Sequence, residues 1–141
     1  MKELEGMHIN QVVIGSCTNS SFADMMRAAK ILKGRKVAEH VSLVIAPGSS
    51  SILAMLSENG ALADMIHAGA RILECGCGPC IGMGQAPLSK GISLRTINRN
   101  FKGRSGTMMQ ELLGITLKLL LICQLKDILI IVNLKYEYVF R

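Results

Sequence analysis

The 141 residues fit one domain with room for an appended segment, and they are enough to bury a hydrophobic core. Half of them are apolar, only 4% are aromatic and tryptophan is absent, so the core must come from Ile, Leu, Val, Met and Ala, which points to a compact α/β domain and away from disorder. The net charge of +6 arises from 16 basic residues scattered among 10 acidic ones; this lacks the clustered basic face of a nucleic-acid binder and suits a small anionic substrate equally well.

The opening MKELEGMH alternates charge and contains no apolar h-region, so no signal peptide is expected there. Gln11 to Ile14 is a short apolar run that reads as a strand, followed by Gly15 and a polar CTNSS turn. From Phe22 to Lys33, Phe22, Met25, Met26, Ala29 and Leu32 recur at helical spacing, with Ser20 or Ser21 as N-cap and Gly34 as stop. The methionine stripe reads as core packing. A second strand spans Val41 to Ala46 and closes at Pro47-Gly48; Ser49 or Ser50 then caps a helix running to Glu58, and Asn59-Gly60 ends it. A short helix from Leu62 to His67, a third strand near Ala70 to Leu73, and a fourth near Ile92 to Ile97 complete the pattern. Apolar strands alternating with helices predict a mostly parallel sheet of about four strands, covered on both faces in a three-layer α/β/α arrangement. Ligands of such sheets gather at the carboxyl ends of the strands. His8, His40 and His67 stand at unrelated positions and read as structural or surface residues.

Five cysteines are an odd number, and Cys75, Cys77 and Cys80 crowd into six positions, which is a poor pattern for a stapled secreted domain and fits reduced thiols in a cytoplasmic setting. Within Cys75-Gly76-Cys77-Gly78-Pro79-Cys80-Ile81-Gly82, Cys77 and Cys80 form a CxxC whose glycines let backbone amides approach a bound group. A redox dithiol, half of a zinc site and two ligands of an iron-sulfur cluster all use this spacing. Gly15-Ser16-Cys17-Thr18-Asn19-Ser20-Ser21 places a further thiol at the first strand-to-helix turn, where amides and hydroxyls favour a thiolate; taken alone, Cys17 reads more often as a small buried residue than as a ligand. Asn98-Arg99-Asn100-Phe101-Lys102-Gly103-Arg104 sets two guanidinium groups five residues apart beyond the fourth strand, either as carboxylate partners or as a solvated basic loop.

GSCTNSS, CGPCIG and NRNFKGR, in this order, together with VIAPGS between them, resemble the aconitase superfamily over about residues 10 to 107. The resemblance implies the architecture of that family's third domain and a 4Fe-4S cluster held by Cys17, Cys77 and Cys80, with Cys75 outside the ligand pattern. Three thiolates for four irons leave one iron open to a substrate hydroxyl and carboxylate, so the cluster acts as a Lewis acid. The resemblance also puts Asn98 beside the cluster and Arg99 and Arg104 near substrate carboxylates. The implied reaction is dehydration and rehydration of a tricarboxylic or related hydroxy acid. The run GMGQAP after the cysteines suggests aconitate hydratase, with the large subunit of 3-isopropylmalate or homoaconitate dehydratase as the alternative. A metal- or RNA-binding module is the alternative of another class.

Aconitase-type enzymes are much longer, and their serine base, and the histidine and acidic groups that handle the leaving hydroxyl, belong to other domains. By this reading the chain is a fragment, inactive alone, with residues 1–107 as a partial cluster-binding domain and other domains on partner chains. Residues 108–141 depart from the family pattern as a tail rich in Leu, Ile and Lys, read as a replaced terminal helix with Leu113, Leu117, Leu120 and Leu121 on one face, or as out-of-frame translation. Cys123 in this tail reads as a buried hydrophobe. Lys118, Lys126 and Asp127 break the stretch from Leu112 to Leu134 into pieces shorter than the ~20 apolar residues of a membrane span.

Overall fold

The computed structural model describes residues 8–101, 103–106 and 111–114. The chain runs β1 (Gln11–Ile14), α1 (Phe22–Leu32), β2 (Ser42–Ile45), α2 (Ser50–Glu58), α3 (Ala61–His67), β3 (Arg71–Ile72), α4 (Gly78–Ile81), β4 (Ile92–Arg95) and β5 (Glu111–Gly114). All five strands are parallel and lie in the order β3-β2-β1-β4-β5.

The helix boundaries follow local chemistry. The Ser21 hydroxyl accepts the Asp24 amide and starts α1, and the Ser49 hydroxyl accepts the Ile52 amide and starts α2. Each bond satisfies one of the amides that a helix start leaves without an internal partner. Met25, Ala28, Ala29 and Leu32 of α1, Leu56 of α2, and Ala61 and Met65 of α3 pack with Val12, Ile14, Leu43, Ile45, Ile92 and Leu94 in one buried core. Met25 is therefore core, as expected from the methionine stripe, while Met26 is partly buried at its edge.

Successive strand residues face opposite ways, so Val13, Val44 and Ile97 form a second, smaller cluster on the other face of the sheet, against Leu73 and Cys80. The segment bearing α4 covers that face and completes the three layers. This face also holds Gln11, Ser93 and Arg95, all buried, so β4 is not apolar throughout as its position between helices predicts.

Three elements differ from expectation, the first being α4, a single helical turn where no helix was expected. The edge strand β3 is only two residues long, although the Leu73 amide extends its ladder by donating to the Ile45 carbonyl at 2.9 Å. A fifth strand, β5, lies in the segment expected to be an atypical tail, and it pairs with β4 from Ile92↔Glu111 to Arg95↔Gly114. Without it β4 would present a row of unpaired backbone groups, and satisfying that ladder outweighs the helical preference of the sequence Glu-Leu-Leu. Leu113 thus begins in a strand; Leu117, Leu120, Leu121 and Cys123 lie outside the described residues. No helix among the described residues is long and apolar enough to cross a membrane.

Candidate functional site

Four loops leave the carboxyl ends of the parallel strands, and three of them carry the motifs singled out in the sequence. The loop after β1 carries Cys17, the loop after β3 carries Cys75, Cys77 and Cys80, and the loop after β4 carries Asn98 to Arg104. Because β1 lies between β2 and β4, segments about eighty residues apart in sequence become neighbours.

The first and third loops are sewn together. Gly15 donates its amide to Thr96 Oγ1 at 2.8 Å, and Asn19 Nδ2 donates to the Thr96 carbonyl at 2.7 Å and to Asn98 Oδ1 at 2.6 Å. Gly15 has φ +93°, and a side chain there would run into the Ala46 carbonyl, so the chain reaches Cys17 through a turn only glycine fits. Asn19, to which sequence reading gave no role, is therefore the residue that orients Asn98. Its signal was its place inside GSCTNSS, but its partner depends on the strand order.

The cysteine loop meets the same edge. The Cys77 thiol donates to Cys17 Sγ at 3.7 Å, and Arg104 Nη2 stands 3.6 Å from Cys80 Sγ. Cys17 and Cys77 are exposed, whereas Cys75 and Cys80 are half-buried. The hydrogen bond to Cys17 and the charge of that neighbour, followed by desolvation and the charge of Cys80, push the Cys77 thiol above its ordinary value; Arg104 opposes them. The Arg104 guanidinium also lies over the Phe101 ring at 5.7 Å, and its Nε is buried without a partner among the described residues. Arg99 is exposed, as is Asn98. The structure thus brings Cys17, Cys77, Cys80, Asn98 and Arg104 to one edge and leaves Arg99 beside them facing solvent. His8 and His40 meet in a T-shaped, edge-to-face arrangement with ring centroids 6.3 Å apart, and both are exposed, in keeping with a surface role.

Cys17, Cys77 and Cys80 are soft thiol donors of the kind that hold an iron-sulfur cluster or a zinc ion. Among the described residues no three His, Cys, Asp or Glu side chains converge to hold one metal ion. Sulfurs sharing one tetrahedral ion with bonds of about 2.3 Å stand about 3.8 Å apart, close to the 3.7 Å between Cys17 and Cys77, but no further ligands among the described residues complete such a site. Arg104 beside Cys80 supplies positive charge where thiolates would collect.

The sequence profile described as Aconitase family (aconitate hydratase) matches residues 1–115. Among characterised proteins, the chain is 43% identical over 113 residues to the 3-isopropylmalate dehydratase large subunit 2 of Archaeoglobus fulgidus, covering 79% of this chain and 27% of that protein. It is 47% identical over 107 residues to the methanogen homoaconitase large subunit of Methanocaldococcus jannaschii, covering 75% and 26%. It is also 41% identical over 111 residues to the homoaconitase large subunit of Thermus thermophilus, covering 78% and 27%. The chain therefore spans about a quarter of the length of these relatives. Profile and relatives agree with the loops at the sheet edge: the chain belongs to the aconitase family.

Proposed function

We propose that this chain is the cluster-binding part of a hydro-lyase large subunit that acts on a hydroxy acid of the 3-isopropylmalate or homoaconitate type. Cys17, Cys77 and Cys80 hold a 4Fe-4S cluster, Asn98 lies beside it among the substrate-binding residues, and Arg99 and Arg104 face the substrate carboxylates. The observation that carries the reading is the meeting of Cys17 and Cys77 at 3.7 Å from loops sixty residues apart, with Arg104 on Cys80. When bound, the cluster supplies a Lewis acid that polarises the substrate hydroxyl. The chain's own residues do the rest of what this part can do. Arg104 offers a fork to a carboxylate while screening Cys80, and Asn19 holds Asn98 in place. The remaining domains, including the groups that move the proton, come from other parts of the parent subunit or from partner chains. The profile match runs to residue 115 and takes in β5, so the segment beyond the matching domain is residues 116–141, shorter than the tail expected from residue 108.

The expectation of aconitate hydratase, drawn from the cysteine segment and GMGQAP, gives way to its alternative. Relatives sharing 41–47% identity carry the names 3-isopropylmalate dehydratase and homoaconitase, and a six-residue run is a weaker discriminator than similarity spread over more than a hundred positions.

Anaerobic reconstitution of the full chain tests the proposal. Iron and sulfide should reach about four each per chain, and Cys17→Ala, Cys77→Ala and Cys80→Ala should each lower the uptake, whereas Cys75→Ala should not. Adding 3-isopropylmalate, homoaconitate or citrate should change the EPR spectrum of the reduced cluster, citrate least. Iron uptake indifferent to Cys17, Cys77 and Cys80 would sink the reading.

A further inference from the structure

Among the described residues Arg95 is the largest fully buried side chain, and none of their acidic groups pairs with it. Its Nε donates to Ser93 Oγ at 3.0 Å, Nη2 to Gln11 Oε1 at 3.3 Å, and Nη1 to the Pro79 carbonyl at 3.4 Å and to Ser105 Oγ. Every acceptor is neutral; the ion pairs among the described residues, Arg27 with Asp24 and Lys33 with Asp64, lie elsewhere on exposed side chains. A cation removed from water without an anion is costly. Burial pushes the guanidinium down to about 10, with the charge of Cys80 acting in the opposite direction, so it remains charged at neutral pH.

Its contacts show what the charge serves. Pro79 lies inside the CxxC turn. Ser105 accepts from Arg95 and passes the link on by donating to the Cys80 carbonyl at 2.9 Å. The turn is seated so closely on this strap that a Cβ at Gly82 would collide with the backbone of Ser105. Around the same guanidinium, Ser93 donates to Gln11 Oε1 at 2.6 Å, and Gln11 Nε2 donates to the Gln85 carbonyl at 3.3 Å, which fixes the far side of the loop.

We propose that Arg95 is a positioning residue with two effects: it anchors the Cys77–Cys80 turn to the sheet through Pro79 and Ser105, and it is the buried counter-charge of the anionic cluster held by that turn. The charge effect rests on the cluster reading given above; the anchoring effect does not. A fixed cation bonded to the turn that would hold the cluster would stabilise the cluster's more negative, reduced form and strengthen retention of thiolate-bound iron.

The test uses the full chain with Arg95→Gln, which removes the charge, Arg95→Lys, which keeps charge and loses the fork, and Ser105→Ala, which cuts the relay to Cys80. In the cluster-free proteins, amide exchange over residues 78–82 should accelerate about tenfold in all three, the expected scale for losing one or two charge-assisted hydrogen bonds. Exchange in β2 should stay unchanged and so report an intact fold. After anaerobic reconstitution, Arg95→Gln should shift the midpoint potential of the cluster to more negative values and release iron to a chelator several-fold faster. Ser105→Ala and Arg95→Lys should leave the potential near that of the unaltered chain. Unchanged exchange at 78–82 in Arg95→Gln and Ser105→Ala overturns the anchoring. An unchanged potential and iron release in Arg95→Gln overturn the counter-charge. Should Arg95→Gln accelerate exchange in β2 as well, Ser105→Ala decides the anchoring, and a potential in Arg95→Lys displaced as far as any uncharged variant's overturns the charge effect. An unaltered chain that takes up no iron overturns the cluster reading and the counter-charge together, and the exchange data still decide the anchoring.

Discussion

Replacing Gly15 by Ala perturbs the hinge on which Cys17 turns, and the structure sets the size of the effect. Two costs add. The backbone sits at φ +93°, and forcing an L residue into the left-handed region costs about 1–2 kcal/mol. The new Cβ would also lie under 3.0 Å from the Ala46 carbonyl oxygen and 3.0 Å from Ser20 Cβ, so β2 or the loop must move; crowding of this kind in a packed region costs about 1–3 kcal/mol. Gly34, at the end of α1, provides the control. Its φ is +71°, but nothing lies within 4 Å of where a Cβ would stand, so Gly34→Ala carries the backbone cost alone. Gly15→Ala should therefore lose about 2–5 kcal/mol and Gly34→Ala about 1–2. At roughly 4 °C per kcal/mol for a domain of this size, the melting points fall by roughly 8–20 °C and 4–8 °C. Thermal denaturation of the two variants beside the unaltered chain, followed by far-ultraviolet circular dichroism, measures both. A Gly15→Ala melting point no lower than that of Gly34→Ala would refute the claim that close approach of β2 dictates glycine there.

Thr96→Val keeps the shape of the side chain and removes the acceptor of the Gly15 amide, so urea denaturation should show a loss of about 1–3 kcal/mol that Thr96→Ser largely avoids; equal losses in the two variants would remove the hydrogen bond as the cause. Cys17→Ala deletes the hydrogen bond and the neighbouring charge that hold the proton on Cys77, so the pH midpoint for alkylation of Cys77 in the cluster-free chain should fall. At one mildly alkaline pH the reaction should quicken, as followed by peptide mass spectrometry; an unmoved midpoint contradicts the coupling.

What the sequence made legible was local. Ser21, Ser49 and Gly34 are signals read within one turn of chain, and β1, α1 and α2 begin and end within a residue or so of where those signals place them. The meeting of Cys17 with Cys77 was foreseeable too, because both follow strands of a parallel sheet and so emerge at the same edge. The partners of buried polar groups were not. Arg95 sits within a run that reads as an ordinary strand, and its burial is tolerated only because Gln11, 84 residues earlier, and Ser105, ten later, arrive beside it. Likewise Asn19 acquires its role only once β4 is known to lie next to β1. The strand β5 was hidden for the opposite reason: its local composition favours helix, and a backbone ladder offered by β4 prevails.

The two faces of the sheet explain why the polar groups gather where they do. All three longer helices pack on the face of Val12, Ile14, Leu43, Ile45 and Leu94, and they fill it with apolar side chains. The other face keeps only a small apolar cluster, and Cys80 belongs to it. Its remaining area is closed by Gln11, Ser93 and Arg95, which bond to the loop that carries the cysteines and to the strap that follows Phe101. On this side, core and candidate site are one object: the bonds that satisfy the buried polar groups are the bonds that seat the Cys77–Cys80 turn. Stability and the order of the cysteine turn, with any metal the proposed site retains, should therefore fall together for substitutions in this network, whereas truncations in the helical core, such as at Leu56 or Met65, should lower stability and leave the cysteine loops bonded as before.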